Sequence, residues 1–585
     1  MTTVRPRSSY ALLTRLFLRQ FLENDLIAPD ADRTQLLAVV GALSVSLTLF
    51  ISAFMSAGYL GPLTTPGQAA VDSLDDKFFY LTLAMIVTAL VAASQWDVLA
   101  LDPRDAAILE PLPVKAGTIR RAKVSAIAIL GAAVACAVNA FPSFVFPWML
   151  VFNFRQMSGF SLLGLMVTHA VMTVAAGAFG YLVVIGFREM LVAVLGRRGF
   201  TIASPWAQGV LIIVLGSALL LAPAASRRVA QRGFDDWRSM SPPMWFLGVY
   251  EVAVGGVIAD LPRSEMRARQ AGNDLKMTAL YAERRPQFPA MARRAVSVTV
   301  MTLLLAAMAY LFNAKRLPSL APSLPPSSRR GWKLGGRLAN AWLVRDPAAR
   351  AGFYFTLAAM WRNNTHRLTL ACAAAAGFAM ALVALTSANL QQGTGPSPRL
   401  LVVQPFLYGA LLVGFRHVIR VPAELRANWG FQLAWRERTD AFVAGVKRAA
   451  IVALVVPALA ILLPLFTVVL GPQMALMHAA LGLAGAIVLL EALMVSYDKV
   501  PFTCTYLPNE NKAIVPIFAI VFMVGALSFA RMQYDALQGG GVLRAVIVLS
   551  AAFGILRVMS VTRARLPRVE FDEAPATYQR LGLHT

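Results

Sequence analysis

The sequence predicts an all-α membrane protein that crosses the bilayer many times. Of its 585 residues, 58% are hydrophobic and only 14% are charged, and the mean hydropathy is +0.62. A soluble protein carries about 25% charged residues. Several apolar runs reach about 18 residues or more, which is enough for a helix to cross a hydrocarbon core about 30 Å thick. The short alternating strands of a membrane β-barrel are not seen.

The first predicted element is an amphipathic helix at Tyr10–Leu26, which would lie in the membrane interface because its apolar residues share one face. Twelve spans follow in two sets. The first set is Leu36–Ser56, Phe78–Val98, Val124–Leu150, Ser161–Phe187, Trp206–Ala224 and Ala295–Phe312. The second set is Leu368–Ala388, Leu400–Val418, Ala449–Leu470, Met477–Ser496, Ala513–Ala530 and Val542–Met559.

The basic residues of the short loops predict the orientation of these spans. Lys and Arg are concentrated before the first span, in Trp96–Lys123, in Arg416–Arg448 and in the C-terminal tail. The alternate loops are poor in them, as in Thr386–Ser397. Because Lys and Arg favour the cytoplasmic side, both termini are predicted to be cytoplasmic.

The segment Ala225–Arg294 does not fit this pattern, since it is predicted to lie outside and yet contains many Arg residues. Long loops are exempt from the charge rule. Its piece Met244–Ala259 is apolar but short and contains Glu251, and we interpret it as a re-entrant or surface helix. If it crossed the membrane, every later orientation would be reversed.

The stretch Asn313–Arg350 is rich in Pro, Ser, Gly and basic residues, a composition typical of a cytoplasmic linker. It would join a first half, residues 1–312, to a second half, residues 351–585.

The two halves have the same order of predicted elements. An interfacial helix precedes six spans in each, at Tyr10–Leu26 and at Phe353–Trp361. A long polar segment follows the second span of each. This order predicts a parallel internal repeat.

The net charge of +24 does not indicate nucleic-acid binding, because the basic residues lie mostly in the loops between apolar runs, where they set topology and meet lipid headgroups. The three cysteines, Cys136, Cys372 and Cys504, are far apart and predict neither a metal site nor disulfides. A cleavable signal peptide is not expected from the first 35 residues.

The motifs of several enzyme classes are absent from the sequence. It has no GxxxxGK[ST] phosphate-binding loop, no HExxH and no GxSxG. His169 and His478 are isolated, and we expect packed or helix-end roles for them. Of the acids, Glu491 lies near the cytoplasmic end of its predicted span and Glu251 lies in Met244–Ala259, so the chain has almost no acid at mid-membrane. A proton-coupled transporter is expected to place acids at mid-membrane, so the energy for any transport would come from outside the chain.

The segment Trp96–Lys123, which we call the first elbow, joins spans two and three. It contains Asp105 and Glu110, a rigid Pro111-Leu112-Pro113, and the basic residues Arg120, Arg121 and Lys123. This order of elements resembles the permease of type 2 ATP-binding-cassette (ABC) exporters, which has an interfacial N-terminal helix, six spans and a cytoplasmic helix between spans two and three. The phrase Leu112-Pro113-Val114, followed by Ile119-Arg120 and Lys123, is similar to the phrase before span three in that family.

The resemblance implies that the whole chain is two such permeases fused into one. A separate dimeric ATPase subunit would dock on the cytoplasmic side and use the ATP, so this chain would bind no cofactor and have no catalytic residue. It would lie in the plasma membrane, as in a bacterial inner membrane, among lipids and without nucleic acid.

The resemblance also implies which residues would contact the ATPase. In the first elbow they are Asp105, Glu110, Pro111, Leu112, Pro113, Arg120, Arg121 and Lys123. In Arg416–Arg448, the second elbow, they are Pro422, Glu424, Arg426, Trp429, Arg436 and Arg438. The second elbow departs from the leucine-proline phrase. Headgroup anchoring is the alternative role of Arg120, Arg121 and Lys123, and simple helix termination is that of the prolines.

Three other functions remain open. A secondary transporter of the major-facilitator kind also has twelve spans in two halves, but its loop after span two is usually shorter and has a Gly-rich, Asp-Arg motif. A lipid-modifying membrane enzyme would need a cluster of acids or histidines at an interface. A membrane scaffold without transport activity is the third.

Overall fold

We describe the protein from a computed structural model. The described residues are 9–22, 65–96, 111, 113–152, 154, 158–227, 229–232, 237–261, 268–316, 339–387, 396–422, 428, 439–495, 500–503 and 514–564. The chain divides into two compact units, Met1–Leu324 and Pro325–Thr585. The division falls inside the predicted linker Asn313–Arg350, of which residues 317–338 lie outside the described part.

Ten helical stretches in the described residues are long and apolar enough to cross a membrane. The chain is therefore a multi-pass membrane protein, and its regular secondary structure in the described part is entirely helical. These ten coincide with ten of the twelve predicted spans. Of the other two, Leu36–Ser56 lies outside the described residues, and Ala513–Ala530 coincides with a helix, Ile514–Leu537, that is not among the ten. The number twelve, the repeat and the orientation of the termini stay predictions.

The described part of the first unit contains eight α-helices. They are α1 Ser9–Leu22, α2 Pro66–Ser94, α3 Ala116–Val151, α4 Gly159–Ala225, α5 Val229–Arg232, α6 Pro242–Val254, α7 Ala268–Arg284 and α8 Phe288–Arg316. Short 3₁₀-helices stand at Trp237–Met240 and Arg285–Gln287. The N-terminus of α2 is capped by Thr65, whose hydroxyl accepts from the Gln68 amide.

The centre of the first unit is α2, which packs against both arms of α4. Gly196, with φ of 64°, divides α4 into these arms. The first arm runs parallel to α2, since Gly177 contacts Thr88 and, further along both helices, Arg188 contacts Trp96. The second arm runs the opposite way, because Ser204 contacts Trp96 and the later Gln208 contacts the earlier Ala93. The arms are therefore antiparallel, as two consecutive spans would be.

The segment between α4 and α8 stays at one end of the unit, the end where α2 begins. The Val229 amide donates to Asp75 Oδ1 at 2.7 Å, and the Gly67 amide donates to Asp274 Oδ1 at 2.6 Å. Helix α6 has 13 residues, about 20 Å, which is too short for a helix to cross the hydrocarbon core. Met244–Ala259 thus forms most of a short packed helix and the turn after it, which begins at Gly255 with φ of 66°.

The described part of the second unit contains nine α-helices. They are α9 Pro347–Arg362, α10 Asn364–Ser387, α11 Pro398–Leu401, α12 Val403–Val418, α13 Thr439–Ala450, α14 Val456–Leu470, α15 Pro472–Val495, α16 Ile514–Leu537 and α17 Val542–Ala564. Two π-helical turns stand at Ala339–Leu343 and Ile451–Val455, the latter joining α13 to α14.

Helix α9 crosses α13 at very short range. A Cβ atom on Gly352 would overlap with the Phe442 carbonyl oxygen, and one on Gly445 would overlap with the Ala349 carbonyl oxygen. Small residues allow two helix backbones to approach in this way. The helix that precedes the spans of this unit is therefore fixed to the helix at the end of the polar segment Arg416–Arg448.

Candidate functional site

The start of the first elbow is fixed inside the first unit. The Trp96 side chain is completely buried, and its Nε1 donates to Ser204 Oγ at 2.8 Å. The Trp96 carbonyl oxygen accepts from Arg188 Nε at 2.9 Å. Ser204 and Arg188 belong to different arms of α4, so the residue at which the elbow begins is tied to both.

The end of the elbow is braced by α1. Leu13 and Phe17 pack against Ile119, Ala122 and Ala126 in the first turns of α3. At the edge of this contact, the Tyr10 hydroxyl lies 2.6 Å from Ser125 Oγ. The amphipathic helix predicted at Tyr10–Leu26 thus lies on the helix that carries the chain away from the elbow.

Some of the predicted contact residues of the first elbow can be placed. Pro111 and Pro113 are exposed, as are Arg120 and Arg121 on α3. Lys123 is buried, with its ammonium 4.8 Å from the centre of the Phe17 ring, so it joins α1 to α3. Asp105, Glu110 and Leu112 lie outside the described residues.

Of the predicted contact residues in the second elbow, Pro422 alone is described, and it is half-buried. Glu424, Arg426, Trp429, Arg436 and Arg438 lie outside the described residues.

The start of the second elbow is also tied to its unit. The Ile419 carbonyl oxygen accepts from the Phe502 amide at 2.9 Å, and Asn428 Nδ2 donates to the Thr503 carbonyl oxygen at 2.6 Å. The chain at 500–503 therefore holds the beginning of this elbow.

His366 links the start of the second elbow to α9. The ring is completely buried, with Nδ1 3.1 Å from the Ala359 carbonyl oxygen and Nε2 3.1 Å from the Val421 carbonyl oxygen. Both partners are acceptors. A neutral imidazole has one N–H, so it donates to only one of them, whereas the imidazolium ion donates to both.

Sequence reasoning missed a buried charge pair in the first unit. Lys77 Nζ lies 2.5 Å from Glu251 Oε1, and the two side chains are 2% and 1% exposed. The pair joins α2 to α6. Glu251 Oε2 accepts a second hydrogen bond from the Tyr281 hydroxyl of α7 at 2.5 Å. Three helices therefore meet at one carboxylate.

Aromatic side chains enclose this pair. Lys77 Nζ lies 4.9 Å from the centre of the Tyr250 ring, and the Tyr250 hydroxyl lies 3.2 Å from His169 Nδ1. Burial and the adjacent Glu251 carboxylate raise the pKa of Tyr250 well above its ordinary value. Its hydroxyl therefore stays protonated as a partner for His169.

The sequence alone indicates only one member of the buried Lys77–Glu251 pair. Glu251 stands out as an acid in an apolar stretch, which often marks a functional position. By sequence, Lys77 belongs to the loop before span two, but α2 already begins at Pro66. A second pair, Lys447 Nζ to Glu491 Oε2 at 2.5 Å, lies in the second unit, and the predicted interfacial position of Glu491 does not suggest it.

Both isolated histidines are packed side chains, as expected. His169 and His478 are completely buried. The His478 ring lies edge-on to Phe466 with centroids 4.5 Å apart, and neither of its nitrogens has a hydrogen-bond partner in the described part of the chain. Across those same residues, no group of three His, Cys, Asp or Glu side chains is arranged to hold a metal ion.

In comparisons with known proteins, no protein-family model, no curated protein and no solved structure matches this chain.

Proposed function

We propose that the protein is the permease of an ATP-driven exporter in a plasma membrane, such as a bacterial inner membrane, and that a separate dimeric ATPase subunit acts on its two elbows. The observation that supports this proposal most is the bracing of the chain around the elbows. In each unit a helix, α1 or α9, packs on the helix in which the elbow ends, and hydrogen bonds hold the chain near the start of each elbow, at Trp96 and at Ile419.

Such bracing suits a segment that receives a mechanical push. A loop without support would absorb a displacement by bending. An elbow anchored at Trp96 and continued by a braced α3 would instead pass the displacement to α1, α2 and both arms of α4. Discrete movements of packed helices are a common form of conformational switching.

In the first elbow, the exposed Pro111 and Pro113 would present a stiff turn to the ATPase, because proline restricts its own φ and the residue before it. Asp105, Glu110, Arg120 and Arg121 would add charge-assisted contacts. The corresponding contacts of the second elbow would be Pro422, Glu424, Arg426, Trp429, Arg436 and Arg438.

The test replaces Glu110–Val114 with a Gly/Ser linker of equal length, which spares Ile119 and Lys123 and hence the α1–α3 contact. The full-length protein is tagged and purified from its own host, and ATP hydrolysis of the purified sample is measured. We expect the unaltered protein to bring an ATP-hydrolysing subunit with it and the elbow variant to lose that subunit.

The matched control replaces Leu324–Ser328, a five-residue stretch with two prolines in the predicted cytoplasmic linker, and should keep the subunit. Two results would contradict the proposal. One is ATP hydrolysis by the chain itself in pure form, and the other is an elbow variant that retains the ATPase.

The buried pair Lys77–Glu251 favours a second candidate, a secondary transporter coupled to protons, because ionisable pairs inside membrane proteins often form proton relays. Under this candidate, liposomes that contain the protein alone would move protons without ATP when substrate is supplied, and Glu251→Gln would abolish the movement. Glu251 belongs to α6, which is too short to cross the hydrocarbon core, so the permease remains the leading proposal.

A further inference from the structure

An open groove with a volume of about 870 Å³ lies where α1, α3 and α8 meet in the first unit. Arg120 and Arg121 line it, and both side chains are exposed. Within the described ranges, neither guanidinium forms a salt bridge. Two adjacent cations thus face the groove, and no carboxylate of the described residues is in direct contact with either.

The groove also has apolar and hydroxyl-bearing walls. Val124 of α3 is 44% exposed and Leu311 of α8 is 58% exposed. The Tyr10 and Ser125 hydroxyls, which hydrogen-bond to each other, line the groove beside the arginines. A ligand that fits must therefore carry negative charge at one end and hydrocarbon at the other.

We propose that this groove binds one anionic phospholipid. The guanidinium groups of Arg120 and Arg121 hold the phosphate, since their planar N–H groups can donate two parallel hydrogen bonds to its oxygens. The acyl chains lie along Val124 and Leu311, on the apolar faces of two membrane-spanning helices. Soluble phosphate would satisfy the arginines but would leave this apolar wall bare.

The position of the groove gives the lipid a structural effect. It contacts the first turns of α3, in which the elbow ends, next to the contact between Lys123 and Phe17, and it reaches α8 through Leu311. A bound lipid therefore links three helices at the point where the elbow ends. Binding at this groove requires no ATPase partner, and a bound lipid would take Arg120 and Arg121 out of the ATPase contacts proposed above, leaving those of Asp105 and Glu110.

The test is native mass spectrometry of the full-length protein in detergent, titrated with phosphatidylglycerol, with phosphatidylcholine or with inorganic phosphate. We expect one tight phosphatidylglycerol site. The double variant Arg120→Gln/Arg121→Gln should bind it about 30-fold more weakly. The control Arg293→Gln/Arg294→Gln removes an equal charge from an exposed adjacent pair on the same unit and should bind normally.

A third variant, Gly117→Phe, fills the groove and keeps both charges, because a side chain at Gly117 meets open space apart from the end of Arg121. Gly117→Phe should also lose tight phosphatidylglycerol binding. This loss would show that the shape of the groove is needed, and not only the attraction between the arginines and the lipid charge. The proposal is overturned if Arg120→Gln/Arg121→Gln binds phosphatidylglycerol as the unaltered protein does. Equal binding of phosphatidylcholine or of inorganic phosphate also overturns it, as does tight binding by Gly117→Phe.

Discussion

The two units differ most in the connection between their last two long helices. In the first unit this connection runs from Ser226 to Gln287 and contains α5, α6 and α7, whereas in the second unit it is the turn Gln538–Gly541. Each unit also contains a Lys–Glu pair at 2.5 Å. The pair that involves the long connection is 2% and 1% exposed, and the pair of the second unit, which joins α13 to α15, is 12% and 10% exposed. The pair that involves the long connection is therefore the more completely enclosed of the two.

The largest expected effect comes from breaking the enclosed pair. Lys77→Met leaves the Glu251 carboxylate without its cation in a closed site, and removing one member of a buried ion pair costs about 3–5 kcal/mol. Lys447→Met should cost less, about 1–3 kcal/mol, because that pair is less completely enclosed. Thermal unfolding of the detergent-purified protein measures both midpoints.

The double variant Lys77→Met/Glu251→Met is the control for this prediction, because apolar replacement of both partners of a buried pair is often nearly neutral. We expect it to recover most of the loss. Equal midpoints for Lys77→Met and Lys447→Met would show that enclosure by the long connection has no energetic consequence.

A second difference lies in how α1 and α9 pack. In the second unit α9 and α13 touch through their backbones at Gly352 and Gly445, whereas α1 and α3 touch through side chains. Gly445→Ala should therefore push α9 and α13 apart and cost about 1–3 kcal/mol.

Gly117→Ala is the matched control in the first unit, since a Cβ there lies 4.0 Å from the nearest atom, Arg121 Nη2, and should be tolerated. Hydrogen exchange of the α9 and α1 amides would show which contact has loosened. The proposed difference between backbone contact in α9–α13 and side-chain contact in α1–α3 would be wrong in two cases. One is faster exchange in α1 after Gly117→Ala, and the other is unchanged exchange in α9 after Gly445→Ala.

The smallest effect is expected at the short turn of the second unit. Gly539 has φ of 94°, a conformation that L residues rarely adopt, so Gly539→Ala should cost about 1–2 kcal/mol. Gly540 does not have a positive φ, and a Cβ added to it would meet no described atom within 4 Å, so Gly540→Ala should be close to neutral. Thermal unfolding compares the two, and equal midpoints would mean that the turn rearranges without cost.

Sequence patterns predicted most of the membrane-crossing helices because a span is a local property, namely a long apolar run. They could not predict Lys77–Glu251, whose partners are 174 residues apart and meet only when α6 packs on α2. Lys123 shows the same limit. Its position suggests a surface cation, but the contact with Phe17 depends on how α1 folds over α3. The contacts of either elbow with an ATPase stay predictions.

The kink at Gly196 has a consequence for how the protein enters the membrane during synthesis. Its antiparallel arms are joined by one non-helical residue, with Arg197 and Arg198 directly after it. No loop separates the arms within α4, so they would insert together as a helical hairpin. The two arginines would then keep the tip of that hairpin on the side from which it entered, because basic residues resist translocation.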